Sequence, residues 1–189
     1  MALPQLPIPK ERNLYLAKQV DQDSINEITK AIIDINDEDA DLAKLAELYG
    51  MTYKPKPIML YIDSYGGAVY QCFGLLSVMD KSKVPVHTVV TGAAMSCGFM
   101  IAITGHRRYS YEKATHMYHQ VSSAVWGKLK DIEEDVEEAK RLQSMIEEHT
   151  LEYTKMTREM LDKNYKDKKD WFISSDEALK LGIIDEIIK

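Results

Sequence analysis

The chain has 189 residues, of which 45% are hydrophobic and 29% charged, and these proportions are those of a soluble globular protein. This length fits one well-filled core, so we expect a single domain over residues 1–189. The formal net charge of −6 argues against a nucleic-acid-binding surface, because no basic stretch dominates.

The N-terminus and the cysteines indicate the compartment. Residues 1–9 carry three prolines and little charge, unlike a signal peptide, and no apolar stretch is long enough to span a membrane. The two cysteines, Cys72 and Cys97, make neither a disulfide framework nor a metal-ligand spacing. We therefore expect reduced thiols, a cytoplasmic location, and no metal or other cofactor.

Short strands alternate with helices along the chain. In chain order we predict a strand at 13–17, a helix over 25–33 capped by Asp23 or Ser24, a mildly helical acidic stretch at 37–50, a strand at 58–62, a helix at 69–79, a strand at 84–90, a helix at 96–104, strands at 108–111 and 115–118, and a helix of about 25 residues within 124–156. This order implies parallel strands with helical crossovers, so the predicted fold class is α/β.

Ser96 stands in a run of small residues, Gly92-Ala93-Ala94-Met95-Ser96-Cys97-Gly98, which an apolar run follows. Small residues let the backbone turn sharply, and the first turn of a buried helix leaves N–H groups free to stabilise an anion. This is the setting that a nucleophilic serine needs. The alternative is a serine that only caps a core helix.

Gly66 and Gly67 follow a buried strand directly and precede a helix. The N–H of Gly67, together with that of Cys97, would make a two-donor oxyanion hole. The alternative is a tight turn without chemistry, and the run lacks the spacing of the phosphate-binding glycine motifs.

His119 ends the short strand at 115–118, where it could accept the Ser96 proton and return it to a leaving amine. His116 competes for this role, but residues three apart in a strand face opposite sides, so only one can point toward Ser96. The alternative for either histidine is a hydrogen-bonded, partly exposed imidazole. Their spacing does not bring two imidazoles onto one metal ion.

Four segments in register resemble the proteolytic subunit of the caseinolytic (Clp) protease family. The Ser96 run is similar to that family's nucleophile segment, and Asp63-Ser64-Tyr65-Gly66-Gly67 is similar to its Asn-Ser-Pro-Gly-Gly turn. Met117-Tyr118-His119-Gln120 resembles its Met-Ile-His-Gln, and Asp170-Trp171-Phe172-Ile173-Ser174 with residues 178–185 resembles its C-terminal signature. The resemblance spans about residues 10–189.

The resemblance implies a ClpP/crotonase-like fold of repeated β-β-α units with a long handle over about 121–156. It implies a serine endopeptidase that cleaves unfolded polypeptides or short peptides inside a ring-shaped chamber, with Ser96 as nucleophile and His119 as general base. Asp170 would orient the imidazole, and Gly67 and Cys97 would supply the oxyanion-hole N–H groups. Asp162 and Asp167 are rivals to Asp170, which is favoured because the chain turns apolar directly after it.

The assembly implied by the resemblance is a tetradecamer of two seven-membered rings. The handles would interlock the rings, and a strand at about 121–127 would lie beside the substrate. Only about a dozen residues precede the first strand, where the family has gating loops, which argues against docking of its ATP-driven AAA+ unfoldase. The connection at 37–57 is longer than the family's, which predicts an added helical hairpin on the outer surface.

Two other functions fit the same residues. An esterase or acyl hydrolase could use the same serine, although the string around Ser96 is not G-x-S-x-G and the order Ser–His–Asp differs from that of those enzymes. The second alternative function is that of a noncatalytic subunit in a mixed protease ring, although such a subunit would have no reason to keep Ser96, His119 and Asp170 together.

Overall fold

The computed structural model describes residues 11–122, 126–167 and 169–189. Its described strands are β1 Asn13–Leu16, β2 Ile58–Ser64, β3 Val86–Met95, β4 Arg107–Tyr111, β5 Thr115–Tyr118, β6 Trp171–Ser174 and β7 Glu186–Ile188. The described helices are α1 Gln22–Leu48, α2 Val69–Lys81, α3 Cys97–Ile103, α4 Leu129–Tyr153, α5 Arg158–Asp167 and α6 Ser175–Lys180. The predicted α/β class is confirmed.

The strands form one sheet with the parallel order β1-β2-β3-β4-β7. Strand β3 changes partner along its length, because residues 87–90 pair with β4 and residues 93–95 pair in parallel with β5. Strand β6 pairs with β5 in the antiparallel direction, so the expectation of parallel strands throughout is wrong at this edge. The split leaves the end of β3 between β2 and β5, where the site lies.

Helix α3 occupies the centre of the molecule, and all seven of its residues are buried. It packs on β3 and on helices α2 and α4. Because an apolar helix is buried directly after β3, the chain has to turn sharply between Met95 and Cys97.

Helix α1 runs without a break from Gln22 to Leu48, so the predicted helical hairpin within residues 37–57 is wrong. Its N-cap is Asp21 rather than Asp23 or Ser24. The Asp21 carboxylate accepts the Ser24 N–H (2.8 Å), and the Ser24 hydroxyl accepts the Asp21 N–H (3.0 Å). This capping box satisfies two of the N–H groups that a helix start leaves free.

The handle region is represented by α4, whose 25 residues match the predicted length. The predicted strand at 121–127 is not seen at residues 121–122 or 126–127, and its centre, 123–125, lies outside the described residues. The N-terminal segment 1–10 lies outside them as well. None of the helices in the described ranges has the length and apolar character needed to cross a bilayer.

Candidate active site

Ser96 joins β3 to α3 in a backbone conformation with φ 53° and ψ −122°. A non-glycine residue rarely takes positive φ, so its neighbours have to hold it there. Its N–H donates to the Met117 carbonyl of β5 (3.0 Å), and its carbonyl accepts the Met100 N–H (3.1 Å). A serine on such a strand-to-helix turn presents its hydroxyl at the top of the sheet.

The pairing of β5 with β6 brings a histidine and a carboxylate to the same edge. Tyr118 and Trp171 are opposite each other in this antiparallel pair. The next residues outward are therefore His119, which follows β5, and Asp170, which precedes β6. Two residues far apart in the chain thus become neighbours beside the end of β3.

The three predicted side chains lie in a row. His119 Nε2 is 2.8 Å from Ser96 Oγ, within hydrogen-bond distance. His119 Nδ1 is 3.6 Å from Asp170 Oδ1, which is an ion-pair distance rather than a hydrogen bond. The Asp170 side chain is 57% exposed, whereas that of His119 is 24% exposed.

The turn after β2 comes close to Ser96 because it lacks side chains. Gly66 has φ 96°, and a Cβ atom there would lie 2.7 Å from the Ser96 Cβ atom. Gly67 has φ 151°, and a Cβ atom there would lie 2.2 Å from the Val20 carbonyl oxygen. A side chain at Gly66 would push the turn away from the serine, and one at Gly67 would clash with the segment before α1.

Gly67 and Cys97 line the same cavity as Ser96, and each has a backbone N–H that the neighbouring secondary structure does not use. Gly67 forms a parallel bridge with Val20. The bridge consists of two hydrogen bonds, from the Val20 N–H to the Gly66 carbonyl and from the Ala68 N–H to the Val20 carbonyl (both 2.8 Å). In a parallel bridge the central residue's own N–H faces the other way. Cys97 is the first residue of α3, so its N–H has no acceptor within the helix.

The two cysteines tie the Gly67 turn to α3. The Cys97 thiol donates to the Gly67 carbonyl (3.2 Å), and the Cys72 thiol donates to the Cys97 carbonyl (3.6 Å). The interaction between the two thiols, together with complete burial, raises the pKa of Cys72, while the same interaction lowers the pKa of Cys97. Both cysteines are free, and both are buried.

The rival residues from the sequence lie elsewhere. His116 is fully buried within β5, and neither of its ring nitrogens has a hydrogen-bond partner among the described residues. Burial lowers the pKa of His116 to about 4. Asp162 and Asp167 belong to α5, and of the three carboxylates Asp170 is the one paired with His119 in the described part of the chain.

A cavity of about 50 Å³ opens next to Ser96 and His119. Its other walls are mostly apolar side chains that the sequence reasoning did not assign to the site: Val69, Phe99, Met100, Tyr118, Val121 and Ile146. These residues belong to four separate elements and to the segment after β5. Their hydrophobic character alone does not distinguish them from the core.

An α/β fold that joins a hydroxyl, an imidazole and a carboxylate beside two backbone N–H groups is typical of hydrolases that work through an acyl-enzyme. The family model of Clp protease matches residues 6–189. The chain belongs to the Clp protease family and is a peptidase, so the esterase alternative is not favoured.

Two curated relatives carry the same description, ATP-dependent Clp protease proteolytic subunit 2. One is from Synechococcus sp. (strain CC9605) and the other from Parasynechococcus marenigrum (strain WH8102). Each is 31% identical over 182 residues, which cover 95% of this chain and 84% of the relative.

Proposed function

We propose that this protein is a serine endopeptidase in which Ser96 is the nucleophile, His119 the general base and Asp170 the residue that orients the imidazole. The observation that carries this proposal is the 2.8 Å contact between Ser96 Oγ and His119 Nε2. A serine hydroxyl is a weak nucleophile until an adjacent base can take its proton, and this contact supplies that base.

The proposed reaction is acyl transfer to Ser96 followed by hydrolysis. Ser96 Oγ attacks the peptide carbonyl carbon while its proton moves to His119 Nε2, and the oxyanion is stabilised by the N–H groups of Gly67 and Cys97. His119 then protonates the leaving amine as the C–N bond breaks. Water attacks the acyl-enzyme by the same route, which releases the acid and regenerates the serine. Asp170 favours the imidazolium that forms in both steps.

The function is tested by replacing Ser96 with alanine and measuring hydrolysis of short fluorogenic peptides. We expect turnover to fall at least about a thousandfold in Ser96→Ala, because the nucleophile and its acyl-enzyme route are lost together. The matched control is Ser77→Ala, since the exposed Ser77 hydroxyl bonds only to the Phe73 carbonyl of its own helix among the described residues. Unchanged peptide turnover in Ser96→Ala would refute the assignment.

We also propose that the chain assembles into seven-membered rings stacked as a tetradecamer, with α4 as the contact between rings. In support, large apolar side chains are exposed on and just before α4: Trp126 (99%), Leu129 (74%) and Val136 (41%). Exposed apolar groups of this size are typical of surfaces that bind a partner. The substrates of such a chamber are unfolded polypeptides and short peptides.

The two relatives are described as ATP-dependent, which for this chain makes an AAA+ unfoldase a proposed partner. The segment before β1, on which the expectation of weak docking rests, lies outside the described residues. Two free, buried cysteines fit the reducing cytoplasm that we propose as the compartment.

A further inference from the structure

Ser64, the last residue of β2, makes two hydrogen bonds that hold the glycine turn of the candidate site. The residue is 2% exposed and does not line the cavity beside Ser96. Its hydroxyl donates to the Lys18 carbonyl (2.7 Å) and accepts the Gly66 N–H (3.2 Å). Because a carbonyl can only accept, the hydroxyl hydrogen points to Lys18 and a lone pair is left for Gly66. Ser64 therefore joins the turn to the segment before α1.

The polar backbone groups of the two glycines are almost all used within the protein. The Gly66 N–H donates to Ser64 (3.2 Å), and the Gly66 carbonyl accepts the Val20 N–H (2.8 Å). The Gly67 carbonyl accepts the Cys97 thiol (3.2 Å). The Gly67 N–H has no acceptor in the described part of the chain. The group left over is the one that we propose as an oxyanion donor.

The direction of the Gly67 N–H depends on what holds the peptide groups before it. Glycine has no side chain to restrict its dihedral angles, and Gly66 has φ 96°. Hydrogen bonds fix the peptide group on each side of Gly66, through Ser64 on one side and Val20 on the other. Without the Ser64 hydroxyl the first of these peptide groups is free to rotate, and the Gly67 N–H turns with it.

The backbone of Ser64 also contacts the helix that follows the nucleophile. A Cβ atom at Gly98 would lie 2.8 Å from the Ser64 carbonyl oxygen, so the first turn of α3 packs directly against Ser64. Ser96 and Cys97 immediately precede Gly98 at this helix start. Ser64 thus touches the element that carries one proposed donor, while its hydroxyl holds the turn that carries the other, Gly67.

We propose that Ser64 is a positioning residue for the oxyanion hole, because its hydroxyl holds the peptide group before Gly66 and thereby aims the Gly67 N–H at the oxyanion. This inference rests on the proposed mechanism of peptide hydrolysis. Donors stabilise an oxyanion best when they are already aimed at the place where its charge develops. Since Ser64 does not line the cavity, its loss should lower kcat and leave KM unchanged.

The test is Ser64→Ala, assayed with a short fluorogenic peptide. We expect kcat to fall about tenfold at unchanged KM, which is the size of one hydrogen bond and less than the loss of an oxyanion donor. The matched control is Ser110→Ala on β4, because Ser110 is also fully buried and donates to a backbone carbonyl, that of Tyr111 (3.1 Å). We expect this control to keep the wild-type kcat.

A peptide aldehyde distinguishes positioning from a purely structural role. The hemiacetal that it forms with Ser96 places an oxygen at the oxyanion position, so its Ki should rise about tenfold in Ser64→Ala. The corresponding uncleaved peptide is titrated in Ser96→Ala with and without Ser64→Ala. We expect equal affinities in that titration, because the cavity walls are the same in both proteins.

Three results would overturn the role of Ser64 and leave the peptidase intact: an unchanged kcat or aldehyde Ki in Ser64→Ala, or an equal loss in Ser110→Ala. If Ser64→Ala does not fold, Ser64→Cys decides, because a thiol is a weaker donor and acceptor than a hydroxyl. A lower kcat at unchanged KM in Ser64→Cys supports the proposal, and a wild-type kcat overturns it. Wild-type protein that cleaves no peptide contradicts the peptidase function itself.

Discussion

At the scale of single residues, Asp170 differs from a buried orienting carboxylate. Its oxygen is 3.6 Å from His119 Nδ1, and more than half of its side chain is exposed. Water therefore competes for the Asp170 carboxylate. The carboxylate interacts with the imidazole more weakly than it would in a buried pair.

Replacing Asp170 with asparagine should lower kcat by roughly a hundredfold with little change in KM. This is less than the loss of about 10⁴ for a buried orienting aspartate, because the exposed carboxylate contributes less to the imidazolium. Steady-state peptide kinetics measure the effect. Asp167→Asn, a nearby carboxylate on α5, is the control and should keep full activity. An equal loss in both variants would show that Asp170 has no special role.

Much of the candidate site could be predicted from the sequence, because Ser96, His119 and the glycine turn stand directly at the ends of predicted strands. The choice of Asp170 over its rivals depended on the resemblance and on the apolar residues after it. The reason for its position is the antiparallel pairing of β5 and β6, which local sequence does not encode. The apolar walls of the cavity could not be assigned, because in the sequence their residues look the same as those of the core.

At the scale of elements, the buried Asp39 interrupts the hydrophobic pattern of α1, so the sequence does not indicate one continuous helix. Its buried face continues through the whole length as Ile25, Ile28, Ile32, Ile35, Asp39, Leu42 and Ala46. Asp39 stands where the stripe requires an apolar residue, so the pattern looks interrupted there. The carboxylate is buried against Arg12 (2.6 Å) and the Tyr53 hydroxyl (2.5 Å), which join the helix to the segments before β1 and β2.

Replacing Asp39 with alanine should lower the free energy of unfolding by about 3 kcal/mol, because Arg12 is then left as a buried charge without its partner. Burial raises the pKa of Asp39, but the hydrogen bonds from Arg12 and Tyr53 outweigh it and lower that pKa overall. Urea unfolding measures the change. Asp41→Ala is the control, since Asp41 is exposed and pairs with Lys44 at the surface. A loss no larger than that of the control would contradict this account.

The charged segment of α5 was harder to predict than α1. Helix α5 buries only Leu161 among its ten residues, and most of the other nine are charged. Met160, Leu161 and Tyr165 give too short an apolar pattern among these charges to indicate a helix, so the sequence predicts none here.

At the scale of the whole molecule, the buried His116 links folding to pH. Burial lowers its folded-state pKa to about 4, whereas an unfolded histidine has a pKa of about 6.5. Between these values the unfolded chain binds a proton that the folded chain does not. Stability is therefore full above pH 6.5 and falls as the pH drops toward 4.

Wild-type protein should lose about 3 kcal/mol of unfolding free energy through His116 between pH 7 and pH 4, and His116→Val should lose correspondingly less. Valine also removes two ring nitrogens that have no partners among the described residues. Urea unfolding across that pH range measures the difference. His106→Val, which replaces an exposed histidine whose ring accepts the Val86 N–H (3.1 Å), controls for loss of a histidine in general. Equal pH slopes for wild type and His116→Val would be inconsistent with a neutral buried imidazole.

The proposed rings make a prediction about mass. Sedimentation at micromolar concentration should give a particle of about fourteen 21.6 kDa chains, because the exposed apolar side chains around α4 bury one another across the two rings. Replacing Trp126 and Leu129 with serine should shift the particle toward single rings. A wild-type mass equal to that of one chain would contradict the assembly.

The central claim, that Ser96 is an activated nucleophile, is tested most directly by mapping the attachment site of a fluorophosphonate probe by mass spectrometry. The account predicts one modified residue, Ser96, with labelling abolished in Ser96→Ala and strongly slowed in His119→Ala. A probe bound to any other residue, or labelling at Ser96 that is independent of His119, would contradict it.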